Sequence, residues 1–275
     1  MTWMWNIVLL YISCLLFLQT VLIFVKRLRR RGITFFVVGF VIKINLQPRF
    51  ELKKVKLDLF SKITCFLAFS IIFVSIFLVF FWDKVQLIYL MRDDIFAFLS
   101  RLNFGEFLVL LWIIALMIGP FHEFMHYLTA KRAHVPINAF YIVAIFGIPI
   151  AFAVKPEFEE KDKAEYVSPA QVLATLDGGI LGNATLMAIF FLLYSITQEF
   201  IFEVLFFFSL YVMAVNSIPF LYYFKTDGAL MIIYACEALF SSKQKKLGYR
   251  IGSAIVIGLL ILQIIFFPHA FYLGI

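Results

Sequence analysis

The chain is 275 residues long, 64% hydrophobic and only 15% charged, whereas soluble globular domains carry about 25% charged residues. That composition excludes a water-soluble enzyme and puts the chain in lipid. The formal charge of +7 is spread over loops between apolar runs, which argues against a nucleic-acid binder; Cys14, Cys65 and Cys236 lie far apart in apolar stretches, with no spacing that suits a disulfide framework or a thiolate metal site.

The first apolar run, residues 4 to 25, is long enough to cross the hydrocarbon core, which takes about 20 helical residues. It has no basic leader and is followed at once by Lys26-Arg27-Leu28-Arg29-Arg30-Arg31, so it is expected to stay as an anchor with its N-terminus outside. Residues 42 to 59 alternate apolar and polar side chains around Gln47-Pro48, which predicts a short β-hairpin at the cytoplasmic face. Spanning runs follow at 63 to 82 and 107 to 130. The segment Pro136 to Pro156 is apolar but punctuated by Gly147 and Pro149, and is expected to enter the membrane and return. Irregular backbone at that depth must be covered by protein or line a wet cavity. Runs at 172 to 194, 200 to 222 and 251 to 272 bring the count to six. Residues 26 to 62, 131 to 171 and 223 to 250 are then cytoplasmic and hold 21 of the 24 Lys and Arg, leaving only Lys84, Arg92 and Arg101 outside. This asymmetry obeys the positive-inside rule. The expected fold is an all-α polytopic membrane protein with about six transmembrane helices, a cytoplasmic β-hairpin, a re-entrant segment and both termini outside.

Chemistry-bearing residues concentrate in the third run, as His122-Glu123-Phe124-Met125-His126. The two imidazoles are one helical turn apart and share a face, which is the geometry zinc needs, and the neighbouring carboxylate can accept a proton from a zinc-activated water. Ionisable groups inside a span are costly and mark sites; the alternative is a histidine pair hydrogen-bonded to a neighbouring helix. A catalytic zinc commonly takes three protein ligands, and two aspartates qualify as the third. Asp177 stands in Leu176-Asp177-Gly178-Gly179, near the start of the fourth run, and Asp227 stands in Thr226-Asp227-Gly228, beyond Asn216-Ser217-Ile218-Pro219. Pro219 is expected to break the fifth helix, and Asp227 reaches the depth of His126 if the broken chain re-enters.

An intramembrane His-Glu-x-x-His followed by Asn-x-x-Pro and Asp-Gly near the end of a later span resembles the site-2 protease family of intramembrane zinc metalloproteases. Ser168-Pro169-Ala170-Gln171, Gly178-Gly179 and Asn183 resemble the family's middle core helix, and the likeness covers roughly residues 107 to 230. The resemblance implies that His122, His126 and Asp227 bind Zn2+, that Glu123 is the catalytic base, and that Asn183 and Asn216 orient substrate or the oxyanion. It also implies that Pro136 to Pro156 is the family's re-entrant strand region. The core is flanked by residues 1–106, holding the anchor, hairpin and second span, and by 231–275, holding the last span; no extramembrane stretch is long enough for the peptide-binding or nucleotide-binding domains that many members append.

The function expected is hydrolysis of peptide bonds in a membrane-embedded peptide or single-span protein, near the cytoplasmic side of what the resemblance suggests is a bacterial cytoplasmic membrane. The competing class is a membrane carrier or immunity-type protein that uses the His/Asp cluster as an ion site or polar core. Glu123 discriminates between them, because an ion site has no need of a base between its histidines.

Overall fold

The computed structural model describes residues 32–36, 39–46, 55–80, 97–145, 148–156, 167–217, 226–240 and 244–266, with isolated positions at 12, 13, 16, 17, 20 and 95. Its elements are β1 (Ile33–Phe36), β2 (Gly39–Asn45), α1 (Leu59–Phe80), α2 (Phe104–Arg132), β3 (Ile137–Ile145), β4 (Ile148–Pro156), α3 (Pro169–Thr197), α4 (Phe200–Ser217), α5 (Asp227–Ala238) and α6 (Lys245–Phe266). Four of them, α1 to α4, are long and apolar enough to cross a membrane. Their outer faces carry Phe66, Phe73, Val109, Leu116, Phe191 and Leu192 exposed, side chains that lipid solvates and water does not. Of the six runs expected to span, 4 to 25 falls almost entirely outside the described residues. The run 251 to 272 is helical in α6 as far as Phe266.

Local signals set the helix starts. Asn103 and Glu106 form a reciprocal capping box at α2, with bonds of 3.0 and 2.9 Å, and Ser168 and Gln171 do the same at α3, followed by Pro169 in the first turn. Gln171 also reaches across, its Nε2 donating to the Ala133 carbonyl at 2.8 Å, and so ties the start of α3 to the end of α2. At α1, Asp58 accepts from the Ser61 amide at 2.8 Å and from Arg132 Nε and Nη2 at 2.9 and 2.7 Å. One carboxylate thus caps α1 and holds the last turn of α2.

The fold class departs from the all-α expectation. The four strands make one antiparallel sheet in the order β1-β2-β3-β4. The turn and most of the returning arm of the hairpin expected around Gln47-Pro48 lie outside the described residues; β2, which contains Ile42 and Ile44, pairs with β1 before it (Ile33↔Ile42) and with β3 (Ile44↔Phe140). Residues 55–58 run without strand structure into α1, and 47–54 lie outside the described residues. Alternation in 42–46 marks a strand correctly but cannot say on which side its partner lies. The Pro136 to Pro156 segment does turn back on itself, as the β3–β4 pair (Ile145↔Ile148, Phe140↔Val154), whose register shifts twice along its length. The ladder takes up the backbone groups of β4 that face β3, and the outward Val154 amide donates to Glu123 instead.

Two apolar clusters fill the helical part. One joins α1, the end of α2, α3 and α5 through Ala68, Ile72, Ala130, Val172, Ile180 and Met231. The other joins α2, α3 and α4 through Leu110, Ile114, Ile118, Phe190, Val204 and Leu205. Along α2 they are separated by the stretch from His122 to His126.

The Asp58–Arg132 pair yields a pH prediction. Arg132 foremost, and then the bonds from Ser61, hold the Asp58 carboxyl well below the usual carboxylate range. A carboxyl depressed in the folded state adds stability that is complete above its unfolded pKa of about 4 and fades as the pH falls below it; being exposed, the pair contributes little. Arg132→Gln should open a small gap in thermal midpoint from the parent that is constant from about pH 7 to 5 and narrows between about pH 4 and 3. A gap that stays constant down to pH 3 contradicts the assignment.

Candidate metal centre

On α2 the buried positions are Leu110, Ile114, Ile118, His122, His126 and Ala130, with Glu123 beside them. Every fourth residue therefore faces α3, and the histidines continue an otherwise apolar stripe. His126 Nδ1 lies 2.8 Å from the Thr175 carbonyl of α3. A carbonyl only accepts, so Nδ1 carries the proton and Nε2 presents a lone pair. The Thr129 hydroxyl donates toward the same carbonyl at 3.2 Å.

That lone pair meets two other acceptors. His126 Nε2 is 3.2 Å from His122 Nε2 and 3.2 Å from Asp227 Oδ2, and His122 Nε2 is 3.3 Å from the same oxygen. Three atoms that can each offer a lone pair thus form a nearly equilateral triangle in a largely buried place. One proton can bridge a single edge of it, whereas a cation on the axis of the triangle serves all three corners. The edge length discriminates further: tetrahedral ligands with arms of about 2.0–2.1 Å stand about 3.3–3.4 Å apart. His122, His126 and Asp227 can therefore hold a metal ion, and two imidazoles with one carboxylate form a donor set that zinc accepts.

Asp227 is delivered by the start of α5, where the Thr226 hydroxyl caps the helix by accepting from the Ala229 amide at 3.3 Å. Gly228 lies so close to the Ser217 backbone that a Cβ there would collide with it, so this glycine seats α5 against the end of α4. Pro219, expected to break the helix, lies outside the described residues, and α4 is described as far as Ser217. Asp177, the other candidate ligand, is fully buried but is not part of the metal group. Its polar neighbours are Thr64 and Cys65 of α1, and among the described residues no close hydrogen bond reaches its oxygens.

Glu123 stands at the rim. Its Oε1 is 3.8 Å from His122 Nε2, and its Oε2 accepts from the Val154 amide of β4 at 2.7 Å. Asn183 is fully buried on α3, and its amide has no hydrogen-bond partner among the described residues. Asn216 is partly buried in the last turn of α4, and no hydrogen bond joins it to the metal group among the described residues.

Three contributors escaped sequence reasoning: the Thr175 carbonyl, the Val154 amide and the bare Cα of Gly179. A Cβ at Gly179 would strike His126 Nε2, His122 Cε1 and Asp227 Oδ2, and one at Gly178 would strike Thr129 Oγ1 and the Met125 carbonyl. Gly178-Gly179 is therefore the place where α3 makes room for the centre. The sequence signal was the glycine pair, with Gly182 one turn on, a small-residue face of the kind that brings membrane helices close. Backbone donors and acceptors leave no such trace.

Comparison of the chain with protein-family models, with curated proteins and with solved structures finds no match. The centre stands on its own geometry.

Two predictions follow from the triangle, both read by metal analysis of purified protein. Asp227→Ala should lose bound metal while Asp177→Ala keeps it; the reverse pattern would exchange the two aspartates. Gly179→Ala replaces no ligand, but its methyl strikes all three, and it should also lose metal. Gly182→Ala, whose new methyl crowds Met125 Cγ and Cβ and reaches the His122 backbone only at ordinary contact distance, should retain it. Full occupancy in Gly179→Ala would show that the centre is looser than these distances.

Proposed function

We propose that this chain is an intramembrane zinc metalloprotease, hydrolysing a peptide bond in a membrane-spanning or membrane-associated segment near the cytoplasmic side. The observation that carries this reading is a carboxylate, Glu123, 3.8 Å from one imidazole of a three-ligand group. A storage or transport site has no use for a base so placed. Bound zinc supplies Lewis acidity toward water and the peptide carbonyl. Glu123 takes the proton of the attacking water as its oxygen bonds to the carbonyl carbon, and delivers that proton to the amide nitrogen as the C–N bond breaks.

The sheet supports the reading. β4 is at the edge of the described strands, and its Val154 amide points away from β3, toward Glu123. An extended peptide added along that edge runs its backbone past the base and the metal ligands. Main-chain pairing of this kind holds substrates of varied sequence, and it requires a helical substrate to unwind first, because helical carbonyls are engaged in their own hydrogen bonds. Asn183, one turn beyond Gly179 on α3, has an amide free to hold the peptide carbonyl, and Asn216 is the second such candidate. The distribution of basic residues sets the cytoplasmic side at the end of α2, about 9–15 Å from His126 and His122 at 1.5 Å per residue. The substrates are single-span proteins or apolar peptides cut in that third of the bilayer.

Glu123→Gln keeps the side-chain volume but cannot accept the proton. It should retain zinc and lose cleavage of a single-span reporter in nanodiscs by about 10²–10⁴-fold. A variant that cleaves at the parent's rate removes Glu123 from the chemistry. A zinc-loaded parent that releases no product from any reporter favours an ion-binding protein instead.

A further inference from the structure

One face of the sheet looks at α2. The register aligns Ile44, Phe140 and Val154 in a single row across β2, β3 and β4. On the same face, two residues before Val154, the Phe152 ring packs against Gly119 of α2 so closely that a Cβ there would overlap it. Further along α2 the two surfaces part. Between the sheet row and Pro120, Phe124 and Tyr127 lies an open groove of about 250 Å³, and Glu123 forms part of its wall.

We propose that this groove is a specificity pocket that receives one large apolar side chain of the substrate, next to the bond that is cut. The inference deepens the proteolytic reading and rests on it. Three observations select the occupant. The groove is continuous with the candidate centre through Glu123, so whatever fills it lies beside the base. Val154 belongs both to the groove and to the edge strand, and in an added strand alternate side chains project to the same face as Val154, toward the pocket. The volume lies below the range of about 300–1,000 Å³ that holds a whole small-molecule ligand, so it suits one side chain.

The wall chemistry sets the preference. Apart from the Tyr127 hydroxyl and Glu123 the lining is apolar, so leucine, methionine and phenylalanine gain by burial there. Aspartate and glutamate are repelled by the Glu123 carboxylate. Ile44, Phe124 and Tyr127 remain 45%, 51% and 40% exposed, so a side chain enters without unpacking the core. Ile44 comes from the N-terminal hairpin, which gives those strands a part in substrate choice as well as in the fold.

The test is product mass spectrometry on a library of single-span peptides in nanodiscs, cleaved by the zinc-loaded full chain. The parent should favour leucine over alanine by about tenfold at one position flanking the cut. Ile44→Trp, which fills the groove, should reverse that preference toward alanine and glycine. Phe124→Ala alters a half-exposed side chain that the fold does not depend on, and should shift the preference toward phenylalanine and tryptophan. Cleavage with the same flanking preference in all three proteins overturns the pocket and leaves proteolysis standing. Unchanged preference together with quenching of Ile44→Trp fluorescence by brominated acyl chains gives the groove to lipid and equally overturns it. No product from the parent overturns the proteolytic reading and the pocket with it.

Discussion

Much of this molecule depends on one hydrogen bond, from His126 Nδ1 to the Thr175 carbonyl at 2.8 Å. It fixes the tautomer, and by fixing the tautomer it turns Nε2 into a lone pair aimed at a second imidazole and a carboxylate. His126 Nε2 and Asp227 Oδ2, 3.2 Å apart, are two acceptors that repel one another in a medium of low dielectric unless a proton or a cation comes between them. The arrangement is stable when a cation takes the place of the missing protons. The same bond joins the metal helix to its neighbour, so any shift of α3 relative to α2 changes the ligand geometry.

That coupling explains why small residues, capping boxes and long-range ties gather around the site. Gly178 and Gly179 let α3 approach the α2 backbone; Gln171 ties the start of α3 to Ala133; Gly228 seats α5 against Ser217 so that Asp227 arrives from a third direction. The apolar clusters on either side along α2 supply the packing that holds these elements together. A metal site needs its ligands within a few tenths of an ångström, and no single helix can supply that. Here α2 and α5 carry the ligands, α3 braces α2 through the Thr175 carbonyl and α4 braces α5 through Ser217.

The histidine pair and the neighbouring Glu123 were legible in the sequence because helical spacing alone puts residues i and i+4 on one face, and because charge inside a span demands a reason. The four apolar runs that became α1 to α4 were legible from length and hydropathy. The choice between Asp177 and Asp227 was harder, since both sit in an Asp-Gly pair. It turns on the packing of α5 against α4, a tertiary fact with no periodic signature. The sheet was the main miss. Ile42 and Ile44 were recognised as strand residues, but β2 pairs with β3 about a hundred residues away, and alternation carries no record of a partner. The turn of the expected 42–59 hairpin lies outside the described residues, and the 136–156 segment, read as re-entrant, joins β2 in a four-stranded sheet that its own composition did not announce. The Thr175 carbonyl and the Val154 amide were invisible because every residue has such groups.

The central claim is that His122, His126 and Asp227 together hold one zinc ion. X-ray absorption at the zinc edge of the purified, zinc-loaded protein tests it directly. The account predicts a four-coordinate ion with two imidazole nitrogens at about 2.0–2.1 Å, a carboxylate oxygen at about 2.0–2.2 Å and one exchangeable light ligand. A spectrum with no imidazole scattering, or one fitted by oxygens alone in six-fold coordination, would contradict it.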